Sequence, residues 1–243
     1  MLLAVVGFAA AAAGAYLVAR ETSVFAVRSI DVVGGTPRAR AEVERALEPE
    51  LGRSLLRVGR REIDGRVLSL PDVLSASFDR RFPHTLRVRI GTERPVLLLR
   101  EGATGTWLVS ARGRVIRRLR TPKLSSLPRV WLPASTAVTV GETLAAKDGG
   151  LAAAAVAPVA AHAFPTPVRF VRERGSELTF VLRSGLEVRL GSLGDLRLKL
   201  AIARRILQAV GADSTSTGYL DVSVPERPVI AGSNAQVSTG GLG

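Results

Sequence analysis

The sequence contains no cysteine, which excludes disulfides, thiol nucleophiles, thiolate zinc sites and a lipid-modified cysteine. It has only 2 histidines. A zinc site without thiolates draws on two or three imidazoles, and His84 stands in a turn while His162 stands in an alanine-rich segment, so no metal site is expected. Aromatic residues make up 5% of the chain, and no block of five consecutive basic residues occurs. Binders of single-stranded nucleic acid set aromatic platforms beside their charge, so nucleic acid is not an expected partner. Glycine loops that cradle phosphates are missing too. Gly102-Ala-Thr-Gly105 lacks both the third glycine and a following helix, and no G-x-S-x-G elbow appears. Nothing selects a catalytic pair from the 21 acidic residues, and Asp221, in a strand, reads as solvated rather than as a base. The expectation is therefore no enzyme, no cofactor and no small-molecule substrate.

Apolar residues are plentiful. They form 47% of the 243 residues, which excludes a disordered chain and allows one large or two small cores. Against 21 acids stand 34 Lys and Arg, a net charge of +13. That balance suits anionic lipid or an anionic cell-wall polymer.

Leu2 to Ala19 runs for 18 residues without a charge, roughly 27 Å of helix. No basic segment precedes Leu2, as a cleaved signal peptide requires, and a core helix is not apolar all round. A membrane anchor over residues 1–20 fits best, with Leu2, Leu3, Val5, Val6, Phe8, Tyr16, Leu17 and Val18 facing lipid. Arg20 and Arg28 follow the run, which by the positive-inside rule leaves the rest of the chain in the cytoplasm. Long domains cross regardless of such charges, so the orientation stays open.

Beyond the anchor the pattern is α+β. A strand through Phe25–Val33 ends at Gly34-Gly35. Thr36-Pro37 is an N-cap with proline in the first turn, and Val43, Ala46 and Leu47 form the inner stripe of a short helix. Ile63, Val67 and Leu70 form a second. Leu74, Ala76 and Phe78, then Leu86, Val88 and Ile90, alternate on either side of Phe82-Pro83-His84-Thr85, the pattern of a hairpin apolar on one face. Arg87 and Arg89 fall on the other face. The order strand, helix, helix, strand, strand predicts two helices over one side of a three-stranded sheet. After Glu93-Arg94-Pro95 short strands dominate, interrupted by an alanine-rich helix containing Pro158 and by a stronger one through Leu196, Leu200, Ala203, Leu207 and Val210, with Asp195 at its start and Gly211 beyond its end. Tyr219–Pro228 reads as a strand whose prolines mark a sheet edge. Ala231 to Gly243 reads as a disordered tail.

Several motifs, in this order, resemble the bacterial cell-division family FtsQ/DivIB: GRSLL (52–56), LPDV (70–73), FPHTLRVRI (82–90), ERPV (93–96) and LVSARGRVI (108–116). Tyr219-Leu220-Asp221-Val222 is similar to that family's Tyr-x-Asp-Leu strand. Ser110 departs from it, standing where the family often has Asp, and so does Leu127–Pro133. The resemblance implies one transmembrane helix, a POTRA domain over 21–94 and a larger, mostly antiparallel β domain with two helices over 95–230. It implies a single-pass plasma-membrane protein, with the bulk of the chain extracytoplasmic, at the division septum. It also implies a non-enzymatic scaffold that binds partners of the FtsB/DivIC and FtsL type by strand addition at its C-terminal edge. On that view Leu220, Val222 and Val224 pack inward, while Tyr219, Asp221, Ser223 and Arg227 meet the partner. Arg80, Arg81, Arg87 and Arg89 would bias the POTRA face toward anionic membrane. The alternative function is an extracytoplasmic binder or hydrolase acting on anionic cell-wall polymer.

Overall fold

The computed structural model describes residues 5–10, 14, 23–102, 105–120, 126–133, 136–161, 164–210 and 218–232. The chain divides between Glu93 and Arg94 into two compact units.

The first unit holds β1 (Ser29–Val33), α1 (Pro37–Leu47), α2 (Arg60–Val67), β2 (Val73–Arg81) and β3 (Thr85–Thr92). Thr36 is extended, and its hydroxyl accepts from the Ala39 N–H at 3.2 Å, satisfying one of the free donors of the first turn of α1. In the sheet β3 is central, parallel to β1 and antiparallel to β2. Val43 and Leu47 of α1 and Ile63 and Val67 of α2 bury against Leu86, Val88 and Ile90 of β3. The 3-10 turn after α1 carries Glu50, which is fully buried and held by Arg53 at 2.9 Å and Arg66 at 3.3 Å.

Two expectations for the hairpin need correction. A register shift lies between Val73 and Ser75, so Val73 takes the inward position and Leu74 is exposed. An extra residue inverts the alternation on its N-terminal side, and strict spacing by two cannot show where it sits. Arg80 does not face outward as ordinary surface charge. It pairs across from Leu86, lies 5.5 Å from the Phe78 ring and donates to the Val58 carbonyl at 2.7 Å. Arg87 sits directly opposite Asp31 and pairs with it at 2.6 Å, while Arg81 lies 3.2 Å from Asp79.

The second unit contains β4 (Pro95–Glu101), β5 (Gly105–Ser110), β6 (Val115–Arg118), β7 (Arg129–Leu132), α3 (Gly150–Ala161), β8 (Val168–Arg174), β9 (Glu177–Leu182), β10 (Glu187–Gly191), α4 (Leu196–Val210), β11 (Gly218–Asp221) and β12 (Val229–Gly232). Among the described residues these strands form one sheet in the order β12-β11-β10-β9-β8-β7-β4-β5-β6. Pairing is antiparallel except at β4–β7, β7–β8 and β10–β11. Parallel neighbours need a crossover, and α4 supplies the one between β10 and β11. Leu200, Ala203 and Leu207 of α4 and Ala152, Ala153, Ala155 and Val156 of α3 bury against the same sheet face as Leu97, Phe180, Val188 and Leu220. Lys199, on the same helix, is buried and donates to the Ser192 carbonyl at 2.9 Å. Ser110 is fully buried at the end of β5. Its buried hydroxyl lies 3.3 Å from the N–H groups of Arg112 and Arg114, across a turn completed by Gly113 at φ 76°.

Glu173, on β8, is half-buried, and its Oε1 has no hydrogen-bond partner among the described residues. Burial raises its pKa above the usual carboxylate value, and the charge of Asp148 adds to the rise. A carboxyl raised in the folded state costs stability once pH exceeds its unfolded value, about 4.3. Glu173→Gln should therefore raise the thermal midpoint at pH 7.5 and leave it unchanged near pH 3.5. Equal gains at both pH values would contradict the burial assignment.

Candidate partner-binding edge

Each residue of the C-terminal strand assigned to the partner finds a definite place. Leu220 and Val222 are fully buried against the α4 side of the sheet. Val224 does not join them. It is 52% exposed, because the strand has already ended at Asp221. Asp221 ends it: one carboxylate oxygen accepts from both the N–H and the hydroxyl of Ser223, at 2.9 and 2.6 Å. Such a local bond draws the backbone out of the ladder. Tyr219 is half-buried under Arg189, whose guanidinium carbon lies 3.8 Å from the ring centre. Arg227 is exposed in the connecting turn, with its N–H bonded to the Val224 carbonyl at 3.0 Å.

The expected edge is displaced by one strand. β11 lies between β10, to which it is parallel, and β12, which pairs with it antiparallel in the register Gly218↔Gly232, Tyr219↔Ala231, Leu220↔Ile230 and Asp221↔Val229. Pro225 and Pro228 interrupt a hairpin connection and do not border a free edge. Ala231 and Gly232, read as the start of a disordered tail, belong to the outermost strand; residues 233–243 lie outside the described residues. The sequence signal for β12 is slender: Val229-Ile230, β-branched and directly after a proline, followed by two small residues.

The phase of the pairing identifies the open backbone groups. Val222 N–H donates to the Arg189 carbonyl at 2.9 Å, so Leu220 and Val222 direct their main-chain groups toward β10. Tyr219 and Asp221 then direct theirs toward Ala231 and Val229, since main-chain groups alternate sides along a strand. By the same alternation Ile230 and Gly232 point theirs away from β11, and among the described residues no strand pairs with them. Side chains follow. Ile230 packs toward the core on the Leu220 side, whereas Val229, 51% exposed, shares the opposite face with Asp221.

Among the described residues no helix covers that opposite face. It carries Trp131, Phe170, Arg172, Glu187 and Arg189. The Trp131 and Phe170 rings meet edge to face at 5.6 Å, and Arg172 pairs with Glu187 at 2.9 Å. A polar depression of about 370 Å³ on it is lined by Arg172, Arg189, Asp221 and Ser223 among others.

Among the described residues no cluster of His, Asp and Glu could hold a metal ion. His84 is structural: its Nδ1 lies 3.1 Å from the Ala26 carbonyl, joining the hairpin turn to the segment before β1. His162 and Gly211 lie outside the described residues, as do Leu2, Leu3, Tyr16, Leu17 and Val18 of the anchor. Val5, Val6 and Phe8 lie in a helical stretch, 5–10, and are exposed. Among the described residues no helix is long and apolar enough to cross a membrane.

The β1–α1–α2–β2–β3 unit, with its central strand parallel to the first, defines a POTRA domain. Residues 25–94 match the family model of the POTRA domain, FtsQ-type. No curated protein matches the chain.

Gly218 is what lets β12 lie so close. Its φ is 143°, and a Cβ there would run into the Ala231 carbonyl. Gly218→Val should strain the β11–β12 pair and lower unfolding stability by about 2 kcal/mol, read as a lower urea midpoint. An unchanged midpoint would mean that β12 does not cover β11.

Proposed function

We propose that the chain is a membrane-anchored, non-enzymatic scaffold of the division septum. It takes up a strand from a partner of the FtsB/DivIC type, acting with one of the FtsL type, on the outer border of β12. The observation that carries this reading is the open row of main-chain groups at Ile230 and Gly232, in a chain that carries an FtsQ-type POTRA domain. Strand addition draws affinity from main-chain pairing and selectivity from side chains at alternate positions. Val229 and Ala231 would offer one such row and Ile230 the other, with exposed Arg227 beside the entry. Short length and flanking proline limit an open edge to a chosen strand and oppose uncontrolled stacking.

The anchor belongs to the same reading. Leu2 to Ala19 is uncharged, and Val5, Val6 and Phe8 are exposed apolar side chains that lipid would cover. The domains would lie outside the cell, where a septal partner's strand is available.

Capture of the partner by full-length chain in detergent provides the test. Ile230→Pro removes an outward N–H while leaving the Tyr219–Ala231 and Asp221–Val229 pairs in place. Compared with Ile230→Ala, which loses the same core packing but keeps the N–H, it should lower capture at least about tenfold, a loss of roughly 1.4 kcal/mol or more. Wild-type capture by this variant would refute the edge.

A second reading, binding of anionic cell-wall polymer, is favoured by the open sheet face. Trp131 is 50% exposed there, with Phe170 and Arg172 beside it. That reading expects co-sedimentation with purified wall material that weakens with salt and drops several-fold in Trp131→Ala. Sedimentation indifferent to both would remove it.

A further inference from the structure

One end of the POTRA domain is built from three segments that the sequence keeps apart. Val27 N–H donates to the Arg53 carbonyl and Leu55 N–H to the Phe25 carbonyl, both at 2.8 Å, which lays 51–55 beside 25–27. Arg28 N–H donates to the His84 carbonyl at 2.8 Å, which brings in the hairpin turn. The Phe25 and Phe82 rings meet edge to face at 5.3 Å. With the backbone so tied, three large apolar side chains at this end remain in water: Val24 is 59% exposed, Leu51 46% and Phe82 54%. Beside them stand the exposed cations Arg28 and Arg81, the latter 3.2 Å from the exposed Asp79 carboxylate. An exposed apolar group rimmed by charge marks an interaction surface.

Chain length points to what covers it. The uncharged run ends at Ala19, five residues before Val24. An extended chain spans at most about 3.5 Å per residue, so this end of the domain lies within about 17 Å of the end of the run. We propose that it rests on the bilayer. Val24, Leu51 and Phe82 enter the interfacial layer, and Arg28 and Arg81 meet lipid phosphates, as basic and apolar groups do together in membrane-surface elements. This rests on the anchor reading and extends it. The contact would hold the POTRA domain in one orientation on the membrane, in place of a domain swinging on a tether.

The absence of cysteine makes the test direct, since any introduced thiol is the sole labelling site. Full-length chain carrying Phe82→Cys, Val24→Cys or, as control, the exposed Ser77→Cys is labelled with an environment-sensitive fluorophore. It is then reconstituted in vesicles of phosphatidylcholine and phosphatidylglycerol containing a nitroxide lipid. Labels at 82 and 24 should be blue-shifted and quenched at least threefold more than the label at 77. Equal, water-like emission at all three positions in a chain that floats with the vesicles overturns the tip contact and leaves the anchor standing. A chain that does not float overturns both. Two independent label positions guard against a local effect of losing the Phe25–Phe82 contact.

Discussion

The pairing of Gly218–Asp221 with Val229–Gly232 decides which backbone groups are open at the β12 end of the large sheet, among the described residues. Main-chain donors and acceptors are obligatory hydrogen-bonding groups. A strand with neighbours on both borders has nothing left to offer, and one with a single neighbour must find water or a partner. Because β12 takes the outer border of β11, the Tyr-Leu-Asp-Val segment is internal to the sheet, and among the described residues the border lies on four residues of little chemical character. Everything around the border serves this arrangement. Asp221 and Ser223 end β11 by a local hydrogen bond, the two prolines lie in the connection, and Gly218 permits the close approach.

No reactive side chain is needed in this account. Several of the buried polar groups have structural partners, although Glu173 Oε1 has none among the described residues. Glu50 is held by two arginines, Lys199 reaches the Ser192 carbonyl and Ser110 forms a turn. The +13 charge is likewise partly committed within the fold. Arg87 is spent on Asp31, Arg172 on Glu187 and Arg80 on Val58 and Phe78. What remains for partners is narrower than composition suggests; Arg28 is exposed at the apolar end of the POTRA domain, beside Arg81 with its Asp79 partner, and Arg227 is exposed in the turn before β12.

Much of the architecture was legible in the sequence, because periodicity reports burial directly. Leu86, Val88 and Ile90 alternate and are buried, and Leu200, Ala203 and Leu207 step by helical spacing and are buried. Thr36-Pro37 announced a cap that the structure contains. The failures share a cause: they concern which strand neighbours which, and how the register runs. Leu74 turned outward because a bulge adds a residue, and no local pattern marks it. The edge was misplaced because Val229-Ile230-Ala231-Gly232 is too short and too small-sided to outweigh a tail-like context. Proline at 225 and 228 is compatible with an edge strand and with a hairpin connection alike, and the pairing chose the second.

The central claim, that function rests on main-chain groups left open along β12, is tested most directly by amide hydrogen exchange, residue by residue, in the free chain and in its complex with the partner. The account predicts that in the free chain the Ile230 and Gly232 amides exchange as exposed backbone while those of Val229 and Ala231 are protected, and that Ile230 and Gly232 slow sharply on complex formation. Protection of Ile230 and Gly232 in the free chain, or exchange there that the partner leaves unchanged, would contradict it.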